Sequence, residues 1–560
     1  MPGCVAAGVG RWYLGRWGGG SLAGARIQVY DTTLRDGAQQ VGISLSLKDK
    51  LQLLQGLDAF GVDYVEGGWP GSNPKDLEFF QQAVALPLRC RLAAFGATRR
   101  AGIAVDADAS VRALLACGTQ TVTVFGKSWL LHVREALGTT AEENLAMVRD
   151  TVAFLKRHGR EVLYDAEHFF DGAGDTDGGA HAMATLEAAA EAGADALVLC
   201  DTNGGSLPDH IATWTRRVRE RFGLPVGIHT HDDAGLAVAN AMAAVACGAR
   251  QVQGTINGYG ERCGNVNLAT LLPNLVLKCG YDCGAAASLG ELTALSRRVS
   301  EACNLPPVPG APYVGPNAFA HKGGVHVSAV NRNPATYEHV PPDAVGNARE
   351  VVVSELSGAS NLAYKARELG LEWVTPEGRR LLLERVKELE YAGYQFEGAD
   401  ASFEVLARRV LHTQRPFVEP IGYTISVARR GGAEPDAEAT VRVRVGGRLL
   451  HTVADGDGPV NAIDRALRKA LEDPYPEVRD MRLADYKVRV IDGRQGTASR
   501  VRVLIATEAP DGYWTTVGVS DNILDASWLA LLDSMEYGVA KRRLPKSAEA
   551  PAGPASGAAG

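Results

Sequence analysis

From Arg26 onward the chain alternates between two hydrophobic patterns. Short, β-rich apolar runs recur at intervals of roughly 30 to 40 residues: RIQVYDTTLRD, VDYVEGGWP, RLAAFGA, QTVTVFGKS, EVLYDAEHFFD, DALVLCDTNGG, LPVGIHTHDD and RQVQGTINGYGER. Between them lie segments such as SLKDKLQLLQGLDAFG and AGLAVANAMAAVACG. Their apolar residues fall three and four apart and a glycine marks the stop, as in amphipathic helices. Eight such alternations predict an α/β fold, a (β/α)8 TIM barrel, over residues 26–285. A doubly wound open sheet is the competing architecture, but no Gly-x-Gly-x-x-Gly turn follows the first run.

Beyond the barrel the pattern changes. Residues 286–412 read as a mostly helical linker region, clearest in EGRRLLLERVKELEYAGYQFEGADASFEVLARRVL. This region includes the loop-rich GPNAFAHKGGVHVSAVNRNP, which suits a segment reaching toward another subunit. Residues 413–545 return to alternating strands such as GYTISVARR, ATVRVRVGG and YKVRVID. Within them TVADGDGPVNA at 452 recurs as TVGVSDNILDA at 516, each after a strand and before a helix. The repeat predicts a small α+β domain of two pseudo-symmetric halves, whose helix N-termini suit an amino-acid carboxylate. Residues 1–25 lack the apolar segment of a secretory signal, and residues 546–560 are Ala/Gly/Pro-rich. Both are expected to be disordered tails.

Composition narrows the class. With 560 residues, 46% apolar and 22% charged, the chain resembles an ordinary soluble protein of several domains. A net charge of −7 without a basic cluster argues against a nucleic-acid partner. No apolar run reaches the ~18 residues of a membrane span. Nine scattered cysteines suggest reduced thiols and a cytoplasmic location. CGYDC at 279–283 has no second cysteine pair and is not expected to bind zinc.

Chemistry gathers at the C-terminal ends of the predicted strands, where barrel enzymes work. TLRD, EGGWP, GKS, AEHFFD, DTNGG, HTHDD and NGYGERCGN all stand there. His229 and His231 lie two apart on a strand and so share a face. Two imidazoles side by side repel as cations but suit one metal ion as neutral ligands. Asp36 ends the first strand, which a closed barrel sets beside the eighth and two away from the seventh. It supplies a third ligand, and a set of two histidines and one carboxylate leaves positions open for substrate. Asn265 can lend a carbonyl oxygen or organise the surroundings. The same donors also suit iron for oxygen chemistry, but Arg35 beside Asp36 points to an anionic or enolate oxygen instead. Asp232 and Asp233 are expected to cap a helix starting at Ala234.

DTTLRDGAQ, HTHDD and NGYGERCGN, in this order on strands one, seven and eight, resemble the family of 2-isopropylmalate, homocitrate and citramalate synthases. EGGWPGSNPKD at 66–76 is similar to the citramalate-forming branch. The resemblance implies condensation of acetyl-CoA with a 2-oxoacid, followed by hydrolysis that frees CoA. It implies that Asp36, His229 and His231 hold a divalent ion, Mg²⁺ or Mn²⁺ with Zn²⁺ as an alternative. Arg35 would stabilise the oxyanion on the ketone and Thr202 would bind the oxoacid carboxylate. Glu167 matches a catalytic acid, while Tyr164 and Thr123 would line the pocket. His326 and Tyr337 match residues brought in from the second subunit of a homodimer. The C-terminal domain would sense a branched-chain amino acid, isoleucine or leucine.

Within that frame Glu66 is expected to pair with Arg35, and Trp69 to fill the pocket against longer oxoacids. Lys127, His132 and His168, near other strand ends, keep 2-oxoglutarate open beside pyruvate, 2-oxobutanoate and 2-oxoisovalerate. Pyruvate is the expected substrate and 2-oxoisovalerate the alternative, with homocitrate formation or acyl-CoA lysis further off. The short loop carrying Cys263 departs from the longer glycine loop of the lyases that cleave hydroxymethylglutaryl-CoA.

Overall fold

The computed structural model describes residues 24–351, 375–396, 398–411, 415–429, 436–491 and 499–544. The expected tails at 1–25 and 546–560 lie outside the described residues but for Gly24 and Ala25. Two compact units are present, residues 1–319 with 340–348 and residues 320–339 with 349–560.

The first unit is the predicted barrel. Its strands are β1 (Arg26–Asp31), β2 (Tyr64–Gly68), β3 (Arg91–Ala97), β4 (Thr121–Lys127), β5 (Glu161–Glu167), β6 (Ala196–Asp201), β7 (Val226–Thr230) and β8 (Gln251–Gly254). Each is parallel to its neighbours, and β1 pairs with both β2 and β8, so the sheet closes. Apolar side chains on the outer face of each strand meet a ring of helices. Helix Leu47–Phe60 starts in a capping box between Ser46 and Asp49, and buries Leu53, Leu54 and Leu57. Inside, Tyr30, Tyr64, Ala93, Leu163 and Ala196 form a separate buried cluster beneath the strand ends. The barrel unit runs on to Phe319 and takes in helix Leu292–Ala302. The sequence pattern alone assigns that helix to the linker, but Leu295 and Arg298 pack at Gly56 of the first helix.

In the second unit the repeat is visible in the hydrogen bonding. Strands 419–428, 436–445 and 448–456 form an antiparallel sheet followed by helix Pro459–Leu471. Strands 482–490, 501–509 and 512–520 form another, followed by helix Ile523–Arg543. Thr452 donates to the carbonyl of Ala466 at 2.7 Å, and Thr516 to that of Ala530 at 2.8 Å, each fourteen residues on. The two halves are therefore copies in side-chain contact as well as in topology.

Candidate active site and metal centre

A cavity of about 340 Å³ opens at the C-terminal ends of the strands. On one side β7 presents His229, and His231 follows just past its end, both buried, with Asp36 just past β1. The Nε2 atoms of the two histidines are 3.2 Å apart, and lie 3.5 and 4.0 Å from Asp36 Oδ2. Metal–ligand bonds of about 2.1 Å place donor atoms between roughly 3 Å and, for ligands on opposite sides, about 4.2 Å apart, so this spacing fits one cation. His229 Nδ1 faces Gln253 Oε1 at 3.1 Å, and the Gln253 amide nitrogen donates to Asp165 at 3.1 Å. That chain fixes the tautomer and turns the Nε2 lone pair of His229 toward Asp36.

Electrostatics agree with the spacing. Burial lowers the pKa of both imidazoles, and neighbouring His229 helps bring His231 down to about 4. Both imidazoles are thus neutral at physiological pH, the form a metal ion requires. Burial opposes ionisation of Asp36, but Arg35, the imidazoles and the Asn265 amide outweigh it and lower the carboxyl to about 2. Asp36 Oδ1, His231 Nδ1 and Asn265 Oδ1 are buried without hydrogen-bond partners. Buried polar atoms left this way call for a partner; Asp36 Oδ1 and Asn265 Oδ1 belong to residues beside the donor set, while His231 Nδ1 is the ring nitrogen away from it. Asn265 fits there because Gly260 leaves room: a Cβ on Gly260 would sit 2.2 Å from the Asn265 amide nitrogen.

Arg35 fills its expected place. Its Nε donates to Glu66 at 2.6 Å, its Nη1 to Asp36 at 3.0 Å, and its guanidinium carbon lies 3.7 Å from the centre of the Phe95 ring. Glu66 also accepts from Tyr30 at 2.7 Å and from Thr32, so it serves to hold Arg35. Across the cavity Lys127 and Glu167 pair at 2.5 Å, and the rings of His132 and His168 approach to 4.0 Å. Thr202 accepts from the His168 backbone N–H at 2.9 Å, which leaves its own hydroxyl proton for a ligand. The third wall is aromatic. Trp69 meets Phe95 and Phe125 edge-on at 5.8 and 5.4 Å, while those two rings stack at 5.0 Å.

The expectations for Tyr164, Thr123, Asp232 and Asp233 need correction. Tyr164 does not line the cavity. Leu163 and Asp165 take the inward positions of β5, and Tyr164 points out toward Val148 in the helical layer. Thr123 faces inward but lies one layer too deep, where its hydroxyl meets that of Tyr30 at 2.7 Å. Asp232 caps a helix that begins at Ala237 rather than Ala234, and Asp233 pairs with Arg262 at 2.7 Å. His326 and Tyr337 are exposed in the second unit, their rings stacked at 4.1 Å. Phe95, Phe125, Asp165 and Cys200 also line the cavity and Gln253 stands behind His229, none of them among the residues expected there. The alternation of strand positions marks Asp165 as inward, two before Glu167; Gln253 carries no such signal.

Comparison with known proteins accords with this geometry. An HMGL-like family profile matches residues 26–299, a homocitrate synthase post-HMGL domain-like profile 313–393, and a LeuA allosteric (dimerisation) domain profile 397–539. An (R)-citramalate synthase of Synechocystis sp. is 52% identical, over 91% of this chain and 96% of its own. One from Aquifex aeolicus is 50% identical, over 92% and 98%. A probable 2-isopropylmalate synthase of Methanopyrus kandleri is 33% identical, over 92% and 99%. By its identity to such relatives along nearly its whole length, and by its barrel and C-terminal domain, the chain belongs to the citramalate synthase family of condensing transferases.

Proposed function

We propose that this enzyme joins the methyl carbon of acetyl-CoA to the ketone carbon of pyruvate and hydrolyses the thioester, giving citramalate and CoA. One observation carries the reading: an open donor set and Arg35 face an aromatic wall across a cavity of about 340 Å³. That combination suits a small oxoacid with a polar head and a short apolar end. The similarity to (R)-citramalate synthases over most of the chain supports it.

Asp36, His229 and His231 would hold a divalent ion, Mg²⁺ or Mn²⁺ with Zn²⁺ as the alternative, with Asn265 beside them. Bound there, the ion supplies Lewis-acid polarisation of the ketone. The Arg35 guanidinium, fixed by Glu66, stabilises the charge that develops on the ketone oxygen. The free hydroxyl proton of Thr202 binds the oxoacid carboxylate. A base drawn from Glu167 or the partner subunit's His326, with Tyr337 beside it, removes a methyl proton. The electron pair of that C–H bond becomes the new C–C bond, and the former ketone oxygen takes up a proton. Water then replaces the CoA thiolate. Trp69, Phe95 and Phe125 occupy the space a longer side chain needs, and each methylene is worth about 1–3 kcal/mol of discrimination.

The product suits isoleucine biosynthesis in the cytoplasm. The C-terminal domain then serves a homodimer and senses isoleucine, with leucine as the alternative effector. The test is release of CoA thiol from acetyl-CoA with Mg²⁺ or Mn²⁺ and each of four oxoacids. Preference for pyruvate is expected. Preference for 2-oxoisovalerate or 2-oxoglutarate would make the enzyme a 2-isopropylmalate or homocitrate synthase. Silence with all four would return the lyase reading.

A further inference from the structure

The EGGWPGSNPKD segment has a second half that the chemistry leaves unused. It folds back on Trp69. Asn73 caps helix Pro74–Ala83 through the Lys75 N–H, and the first turn of that helix carries Asp76. Asp76 Oδ2 accepts the backbone N–H of Trp69 at 2.9 Å, and Asp76 Oδ1 accepts from Lys50 Nζ at 2.6 Å. Both charged residues are buried, Lys50 4% and Asp76 9% exposed. Lys50 occupies an inward position on helix Leu47–Phe60, on the same stripe as Leu53, Leu54 and Leu57, where an aliphatic residue would serve packing alone. Gly68 accommodates the arrangement: its φ is 151°, and a Cβ would stand 2.5 Å from the Asp76 carboxyl carbon.

Behind Trp69 lies a second cavity of about 250 Å³, bounded by Leu34, Ile43, Leu45, Lys50 and Asp76. Trp69, Arg35 and Gln39 line both this cavity and the catalytic one. Trp69 thus stands between the two cavities, with the second on the side away from the donor set. Its aromatic contacts with Phe95 and Phe125 lie on the catalytic side. On the other side its main chain is held by Asp76.

We infer that Asp76 and Lys50 are positioning residues for substrate selection: they clamp the Trp69 backbone so that the indole seals the catalytic cavity from the cavity behind it. A longer 2-oxoacid is then refused because the partition cannot retreat into the second cavity. The inference rests on the proposed condensation with pyruvate and names what enforces its choice of substrate.

The test compares kcat/KM for pyruvate and 2-oxobutanoate in the full-length enzyme. The Lys50→Met/Asp76→Leu double variant removes both charges together and so leaves no buried charge alone. Its ratio of pyruvate to 2-oxobutanoate is expected to fall about tenfold, the scale of one methylene of discrimination. The fall should come from better use of 2-oxobutanoate, while kcat with pyruvate holds. Asp76→Glu keeps the charge pair but displaces the clamp, and gives the same test should the double variant not fold. Lys50→Arg should retain the wild-type ratio. A pair that serves folding alone would lower Tm and leave the ratio untouched, and that result overturns the inference if Trp69→Ala still collapses the ratio. Equal ratios in every variant, Trp69→Ala included, overturn the clamp and the partition together. A wild-type enzyme that does not prefer pyruvate overturns the functional reading itself.

Discussion

At the scale of single residues, the donor set and Arg35 have different ways of failing. Asp36→Asn keeps the shape but removes the only carboxylate among the three clustered donors. The variant should lose bound Mn²⁺ by elemental analysis and fall by at least about 10²-fold in CoA release. His231→Ala should behave alike. Retention of a full complement of metal in both would refute the assignment of the centre. Arg35→Lys keeps a positive charge but cannot reproduce a guanidinium that donates Nε to Glu66 and Nη1 to Asp36 over the Phe95 face. Its kcat is expected to drop about 10²–10³-fold. A rate near wild type would show that charge alone suffices.

At the scale of elements, two strand ends carry measurable consequences. Asp31 closes β1, buried, accepting from the Thr33 backbone N–H at 2.9 Å and the Thr33 hydroxyl at 3.0 Å. Burial dominates and pushes its carboxyl up to about 7 from an ordinary 3.8. Between those pH values the folded protein binds more protons than the unfolded chain, so stability falls as pH rises through the window. In Asp31→Asn that slope should flatten, read as Tm between pH 5 and pH 7.5. An unchanged slope would place the proton elsewhere. In the C-terminal unit, strand 512–520 crosses its helix so closely that a Cβ at Gly518 would lie 2.0 Å from the Ala526 carbonyl. Gly518→Ala should destabilise that unit by about 1–3 kcal/mol, measured by denaturant unfolding. Wild-type stability would show that the helix can shift aside.

At the scale of the whole molecule, the proposed metal centre would tie distant parts of the chain together. Asp36 follows β1, His229 lies on β7 and Asn265 follows β8, at opposite ends of the barrel sequence. An ion that binds only this assembled set stabilises the fold by about 2.7 kcal/mol at a hundred times its dissociation constant. Chelation should therefore lower Tm as well as abolish activity, and Mg²⁺ or Mn²⁺ should restore both. Loss of activity without a change in Tm would mean that the ion reaches the enzyme with substrate rather than residing there.

The barrel was legible in the chain because it is repetitive: eight apolar runs and eight helical stripes each report a local period, and polar residues after each run mark the catalytic end. His229 and His231 declared themselves for the same reason, since two residues on one strand face need no knowledge of the fold. The duplicated C-terminal halves were legible from matching turns at 452 and 516. What the sequence left undecided depends on depth and on pairing across the barrel. Thr123 sits on the right strand and face, but only closure determines which layer meets the cavity; Tyr164, three before Glu167, is turned outward by strand alternation itself. Gln253 reaches His229 from a neighbouring strand, 24 residues away in the chain. Lys50 meets Asp76 from a different helix, and the volume behind Trp69 exists only once both helices are packed. Periodicity is a property of local backbone geometry and is written along the chain; cavities and cross-strand contacts arise from how the finished elements pack.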